Sequence, residues 1–161
     1  MLRLVTIIAL LFVCTIVQTN DSLGQWVNVR CSEDGVSTRV PREPSSSYRL
    51  YGAHYESEYR SSQKALGSLM AKHATSDSLR DVLKEFRAYL GNERKAIETQ
   101  LQKSVTRIQK NPCDSLLRRS FHFLLENVDI NARRLNKISV ACGDTSIDLG
   151  GLLREYLRDE E

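Results

Sequence analysis

The three histidines of the chain, His54, His73 and His122, are its candidates for general-base or metal chemistry. The sequence contains no motif typical of a serine hydrolase, a zinc metalloprotease, a dithiol redox site, a P-loop or a dinucleotide-binding turn. His122 and Glu126 lie one helical turn apart, but two ligands are too few to hold a zinc ion. The other carboxylates alternate with lysine and arginine, as on solvated helix faces. The sequence therefore predicts no enzyme, no catalytic residue, no metal site and no cofactor.

Two arginine pairs indicate binding rather than catalysis. The pairs are Arg118-Arg119 and Arg133-Arg134, and they lie fifteen residues apart. Fifteen residues are about four helical turns, so both pairs return to nearly the same face of a continuous helix. Such a basic patch suits an acidic receptor surface or an acidic glycan, and the alternative is the solvated side of an amphipathic helix. The net charge of +3 is too small to predict nucleic-acid binding through bulk charge.

Both arginine pairs belong to the segment from Asn111 to Gly143, which carries the largest apolar surface of the chain. Its apolar residues follow one another at steps of three and four, which predicts one long core helix. They are Cys113, Leu117, Phe121, Leu124, Val128, Ala132, Leu135, Ile138 and Cys142. Four more apolar residues widen this stripe and predict neighbours on more than one side: Leu116, Phe123, Leu125 and Ile130.

The ends of this core helix are signalled by residue type. Asn111 suits the N-cap, Pro112 the first turn, and Gly143 the position after the C-cap. The polar cluster from Asn127 to Asn131 leaves open a division into two helices.

Three further helices are predicted around the core helix. The first spans Ser46 to His73, and its tyrosines indicate either a half-buried face or an exposed aromatic patch for a partner. These tyrosines are Tyr48, Tyr51, Tyr55 and Tyr59. The second begins at a capping box of Ser78 and Asp81 and runs to Lys110, with Gly91-Asn92 as a point where it kinks or divides. The third follows a cap at Asp144 to Ser146.

The N-terminal part of the chain has a different composition. Leu4 to Val17 is an apolar run of fourteen residues behind Arg3, which predicts a secretory signal peptide over residues 1–24 rather than a membrane span. Cleavage after Thr19 is the alternative to cleavage after Gly24. Residues 25–47 form an N-terminal arm and loop, with Gln25 to Cys31 extended and no β-hairpin predicted. Residues 48–161 form the helical bundle domain.

Three cysteines remain once Cys14 leaves with the signal peptide, and an oxidising compartment should join two of them. If Cys113 and Cys142 lie on one helix, they are roughly 43 Å apart, so Cys31 must pair with one of them. We favour Cys31–Cys113. If the core helix breaks and folds back, Cys113–Cys142 is the alternative. The odd cysteine remains free or joins two chains in a disulfide-linked homodimer.

The fold class predicted from these elements is all-α: a secreted bundle of four or five helices with a disulfide-anchored, extended N-terminal arm. Three of its segments resemble helices of the class II helical cytokines, the group of interferon-gamma and the interleukin-ten relatives. They are Leu83 to Gly91 (LKEFRAYLG), Leu101 to Gln109 (LQKSVTRIQ) and Val128 to Leu135 (VDINARRL). The closing segment Leu152 to Glu161 is similar in style to the end of some members. The resemblance implies a secreted ligand of a cell-surface receptor and assigns no binding residue.

Two functions are therefore expected from the sequence. The first is a secreted, cytokine-like signalling protein that binds a cell-surface receptor or another extracellular protein. The alternative is a secreted carrier of a hydrophobic small molecule or lipid. The apolar pocket of such a carrier would be formed by Phe121, Phe123, Leu124 and Leu125.

Overall fold

The computed structural model describes residues 25–31, 35, 37–72 and 77–158. Its elements are β1 (Trp26–Arg30), β2 (Ser37–Pro41), a 3-10 turn (Pro44–Ser46), α1 (Ser47–Tyr51), α2 (Ala53–Lys72), α3 (Asp77–Lys110), α4 (Ser115–Ala141) and α5 (Leu149–Arg158). The protein is thus a bundle of helices with a small two-stranded sheet at its N-terminal end, which confirms the predicted all-α class. The predicted signal peptide, residues 1–24, lies outside the described residues.

The N-terminal arm is a β-hairpin. Strand β1 pairs antiparallel with β2, from Trp26 opposite Pro41 to Arg30 opposite Ser37. The prediction of a loop with no hairpin was therefore wrong. An extended arm exposes a row of backbone N–H and C=O groups, and pairing with β2 satisfies them. Val40 is fully buried and anchors the hairpin on the helices.

The first predicted helix is divided at Gly52, where α1 ends and α2 begins. A Cβ atom at this position would lie 2.8 Å from the carbonyl oxygen of Tyr48, closer than any side chain can approach. Glycine therefore lets the two helices meet at a close turn. The end of the predicted helix at His73 lies outside the described residues.

The two longest helices are continuous. Helix α3 runs for 34 residues through Gly91-Asn92, and α4 runs for 27 residues through the polar cluster from Asn127 to Asn131. The divisions considered at Gly91-Asn92 in α3 and in the polar cluster of α4 therefore do not occur. Burial explains this continuity, because Leu90 beside Gly91 and Val128 within the polar cluster are packed into the core.

Both capping predictions near α4 and α5 need correction. Helix α4 is capped by Asp114, not Asn111, and the Asp114 carboxylate accepts hydrogen bonds from the backbone N–H groups of Leu116 (2.9 Å) and Leu117 (3.1 Å). Helix α5 begins after Asp148, whose carboxylate accepts the N–H of Gly151 at 3.0 Å. An aspartate immediately before the first turn satisfies otherwise unpaired N–H groups and faces the positive end of the helix dipole.

The core lies where α2, α3 and α4 pack together, with α5 against α3. Its largest fully buried side chains include Tyr55, Leu66, Leu83, Phe86, Leu90, Leu101, Ile108, Leu135, Ile138 and Leu153. One buried polar group crosses this core. The Ser62 hydroxyl on α2 lies 2.8 Å from the carbonyl oxygen of Glu58 and 3.0 Å from that of Leu135 on α4. This hydrogen bonding fixes the register of α2 against α4.

The predicted disulfide between Cys31 and Cys113 is present, with 5.4 Å between the Cα atoms. It ties the end of β1 to the turn between α3 and α4, so the predicted anchoring of the arm is confirmed. A disulfide of this kind indicates an oxidising environment. Within the described residues, Cys142 at the end of α4 is left as a free thiol.

Candidate partner-binding face of helix α4

Helix α4 has one apolar side in the core and a second apolar line facing outward. The outward line consists of Leu116, Phe123 and Ile130, which are 71%, 64% and 40% exposed. Helix α4 packs against both α2 and α3, which agrees with the predicted neighbours on more than one side, but of the four residues behind that prediction only Leu125 packs against the core. The three positions are seven residues apart, or about two helical turns, so they lie along one line of about 21 Å. We call these three residues the outward strip.

The concentration of exposed apolar surface on one helix is unusual. Six large apolar side chains are exposed in the described part of the chain, and four of them belong to α4: the outward strip and Val140. Single exposed apolar residues are normal on soluble proteins, whereas an aligned group is typical of an interaction surface. The outward strip also has the seven-residue spacing by which amphipathic helices present anchors to a partner.

Basic side chains surround the outward strip. Arg119, Arg133 and Arg134 from the predicted patch are exposed on α4, and Lys137 is exposed one turn beyond. Arg133 pairs with Asp129 on the same helix, at 3.3 Å between Nη2 and Oδ2. The Arg134 guanidinium lies 5.7 Å from the centre of the Tyr156 ring on α5. These contacts hold the two side chains in place without burying their charge.

Arg118, the fourth arginine of the predicted patch, lies apart from the other three. It is half-buried, and its Nη1 atom lies 3.2 Å from the Cys31 sulfur of the disulfide. Its guanidinium therefore packs against the anchor of the hairpin. The structure thus places Arg119, Arg133 and Arg134 beside the outward strip and Arg118 beside the disulfide.

The four residues of the predicted apolar pocket do not line a common cavity. Phe121 is buried in the core, where its ring meets Tyr51 edge-on at 5.1 Å between ring centres. Phe123 belongs to the outward strip, on the other side of the helix. Leu124 and Leu125 are half-buried at the edge of the core. Neighbouring positions on a helix diverge by about 100°, which explains why this set is separated.

The tyrosines of α1 and α2 form a half-buried face rather than an exposed patch. Tyr48 and Tyr55 are buried, and Tyr51 and Tyr59 are partly buried against the core. Burial raises the pKa of Tyr51 to about 12, with the nearby Arg39 opposing the shift, so this phenol is neutral at physiological pH. The Tyr51 hydroxyl donates to the carbonyl oxygen of Arg39 at 3.0 Å, which joins α1 to the hairpin.

Two of the three histidines, His54 and His122, form exposed pairs with carboxylates, and His73 lies outside the described residues. His122 lies 3.3 Å from Glu126 along α4, while His54 on α2 lies 3.0 Å from Asp129 on α4. The second pair joins residues 75 positions apart and carries no local sequence signal. Within the described residues, no group of three or more histidine, cysteine, aspartate or glutamate side chains is arranged to hold a metal ion.

None of the described helices combines the length and the apolar character that a membrane span requires. No family model, curated protein sequence or solved structure matches the chain.

Proposed function

We propose that the protein is a secreted, cytokine-like signalling protein that binds a cell-surface receptor through the outward face of α4. The observation that carries this proposal is the exposed line of Leu116, Phe123 and Ile130 on a helix that is otherwise anchored in the core. A rigid helix positions such side chains without further ordering when a partner binds, which reduces the entropic cost of association. The aromatic Phe123 at the centre of the line would be the main anchor.

The charges around the outward strip favour a partner with acidic groups. Arg119, Arg133, Arg134 and Lys137 outnumber the exposed carboxylates nearby, which are Glu126, Asp129 and Glu155. A partner surface with a central apolar groove and an acidic rim would complement this arrangement, and it would be attracted at long range. A second copy of the chain packed strip to strip would instead bring like charges together, which disfavours homodimerisation through this face.

Two further observations support an extracellular location. The Cys31–Cys113 disulfide needs an oxidising compartment, and Leu4 to Val17 supplies the apolar segment typical of a secretory signal. Both properties suit a ligand that meets its receptor outside the cell.

The test is saturable binding of the fluorescently labelled protein to intact cells, measured by flow cytometry. The protein would be purified from the medium of eukaryotic cells. Phe123→Asp and the double variant Arg119→Glu/Arg133→Glu should each weaken binding at least tenfold, because they alter the apolar centre and the basic rim. Their helical circular dichroism should be unchanged, since these side chains are exposed.

Matched controls carry the same chemical changes elsewhere. Ile147→Asp replaces an exposed apolar residue in the loop before α5, and Arg80→Glu reverses an exposed charge on α3. Both should bind as the unaltered protein does. Equal binding by the α4 variants and the controls would contradict the proposed face, and unsaturable binding to every cell type would contradict a receptor.

A further inference from the structure

A second surface feature lies away from the outward strip, where α1 and the start of α2 meet α3. A groove of about 590 Å³ opens there to solvent. Its polar lining is formed by Arg49, Glu56, Ser57, Arg60, Ser61 and Arg94. Nothing in the α4 face involves these residues, so the groove is a separate site.

A single carboxylate organises the groove. The Glu56 carboxylate accepts hydrogen bonds from Nε of Arg60 and from Nε of Arg94, each at 2.7 Å, and from the Tyr48 hydroxyl at 2.8 Å. Burial by itself would raise the pKa of Glu56, but these donors outweigh it and hold the pKa below its ordinary value. The carboxylate is therefore charged at neutral pH and keeps both guanidinium groups in place.

Arg94 is held from a second direction. Its guanidinium carbon lies 5.2 Å from the centre of the Tyr48 ring and 5.7 Å from that of Tyr59. The contact with Glu56 uses Nε, and Nη1 lies 3.9 Å from Glu98 at the border of the groove. A guanidinium has five N–H donors in a fixed plane, so Arg94 has further donors besides those that face Glu56 and Glu98.

Positive charge exceeds negative charge in the groove. Three arginines, Arg49, Arg60 and Arg94, face one carboxylate in the lining, and Glu98 at the border still leaves a surplus. Ser57 and Ser61 add hydroxyl donors one helical turn apart. Convergent guanidinium and hydroxyl donors on a preorganised support match the geometry of an oxyanion.

We propose that this groove binds a tetrahedral oxyanion group, carried as a sulfate or phosphate ester by a small molecule. Arg94 and Arg60 contact the anionic oxygens, Arg49 neutralises the remaining charge, and Ser57 and Ser61 donate hydrogen bonds from α2. The groove is open to solvent and larger than a bare ion requires, so it has room for the organic part of the ester beside the anionic group.

The experiment is a titration of the ¹⁵N-labelled protein followed by backbone amide chemical shifts. The probes are glucose 6-sulfate, glucose 6-phosphate, inorganic phosphate and unmodified glucose. We expect at least one ester to shift the amides around Ser57, Ser61 and Arg94, with unmodified glucose inactive. Comparison of the two esters shows whether sulfate or phosphate is preferred.

The variants separate a built site from general attraction of anions. Arg49→Gln removes one groove charge from an exposed side chain and should weaken ester binding about fivefold, because the remaining charge of the ester is then no longer neutralised. Arg80→Gln also removes one positive charge, but at a position about 21 Å from Arg94 along α3, and it should leave the affinity for the ester unchanged. Ser61→Ala provides a second groove variant, with severalfold weaker binding expected, should Arg49→Gln lose helical circular dichroism.

Three results would overturn the proposal. The first is the absence of shifts around the groove with either ester. The second is an equal loss of affinity in Arg49→Gln and Arg80→Gln, which would indicate bulk charge alone. The third is an affinity for inorganic phosphate that equals the affinity for the esters, which would show that the organic part of the ester makes no contact in the groove.

Discussion

The Tyr55 hydroxyl donates a hydrogen bond to the Glu93 carboxylate at 2.7 Å, and this contact joins α2 to α3 across 38 positions of sequence. Tyr55 is fully buried among apolar side chains. Burial raises the pKa of the Tyr55 phenol strongly, and the charge and hydrogen bond of Glu93 raise it further, so the hydroxyl remains a neutral donor. A polar tie of this kind inside an apolar core favours one packing of the two helices over sliding alternatives.

Tyr55→Phe should destabilise the protein by about 1–3 kcal/mol, because the Glu93 carboxylate loses a donor while the ring still fills its site. The measurement is the midpoint of urea unfolding followed by circular dichroism. Tyr59→Phe serves as the matched control, since Tyr59 is only partly buried, and it should change the free energy of unfolding by less. Equal effects from the two variants would contradict the importance of the Tyr55–Glu93 contact.

Reduction of the Cys31–Cys113 disulfide should lower the free energy of unfolding by about 4 kcal/mol, because the bond closes a long loop with a sequence separation of 82 and restricts the unfolded chain. Urea unfolding of the double variant Cys31→Ser/Cys113→Ser measures this loss without a reductant. Cys142→Ser is the control and should retain nearly full stability. A double variant as stable as the control would show that the hairpin is held by its other contacts alone.

The stability of the protein should fall in acid through Glu56. Because its pKa is lower in the folded protein than its ordinary value of 4.5, the charged carboxylate stabilises the fold above that pH. This contribution is lost as the pH falls through the lower, folded pKa. Glu56→Gln should therefore be less stable than the unaltered protein at pH 7, and the difference between the two should shrink below about pH 4.5.

Urea unfolding at a series of pH values measures this difference. Glu85→Gln, which neutralises an exposed carboxylate on α3, should not change stability at pH 7. The difference in free energy of unfolding between Glu56→Gln and the unaltered protein should not stay constant with pH. A constant difference would show that the charge of the Glu56 carboxylate does not contribute to stability.

The Cys142 thiol should react slowly in the folded protein. It is half-buried in a cavity beside Leu69 and Ile147, and burial raises its pKa, so little of the reactive thiolate is present at neutral pH. Alkylation by iodoacetamide, followed by mass spectrometry, should be markedly faster in denaturing urea than in buffer. Equal rates would contradict the burial of the thiol. The same unreduced sample would show a doubled mass if the predicted disulfide-linked homodimer forms.

Several features of the fold could be predicted because their signals are local or geometric. The apolar positions of α4 recur with the period of a helix, and a rod of that length cannot bring its two cysteines together. That length excluded Cys113–Cys142 and left Cys31 to pair with either cysteine, and the structure confirms the favoured partner, Cys113. The ends of the helices were less predictable, since Asn111 and Asp114 are both good caps and only the structure shows that Asp114 takes this position.

The sequence by itself determined which residues lie on each line of α4, because helical periodicity depends only on spacing. Only the tertiary structure decided which line is covered: Phe121 and Val128 are buried in the core, whereas Phe123 remains exposed. The same holds for the Glu56 groove, where Arg94 arrives from a separate helix. Periodicity along one helix determines the direction in which each side chain leaves that helix. The partner that the side chain contacts depends on how segments distant in sequence pack against one another.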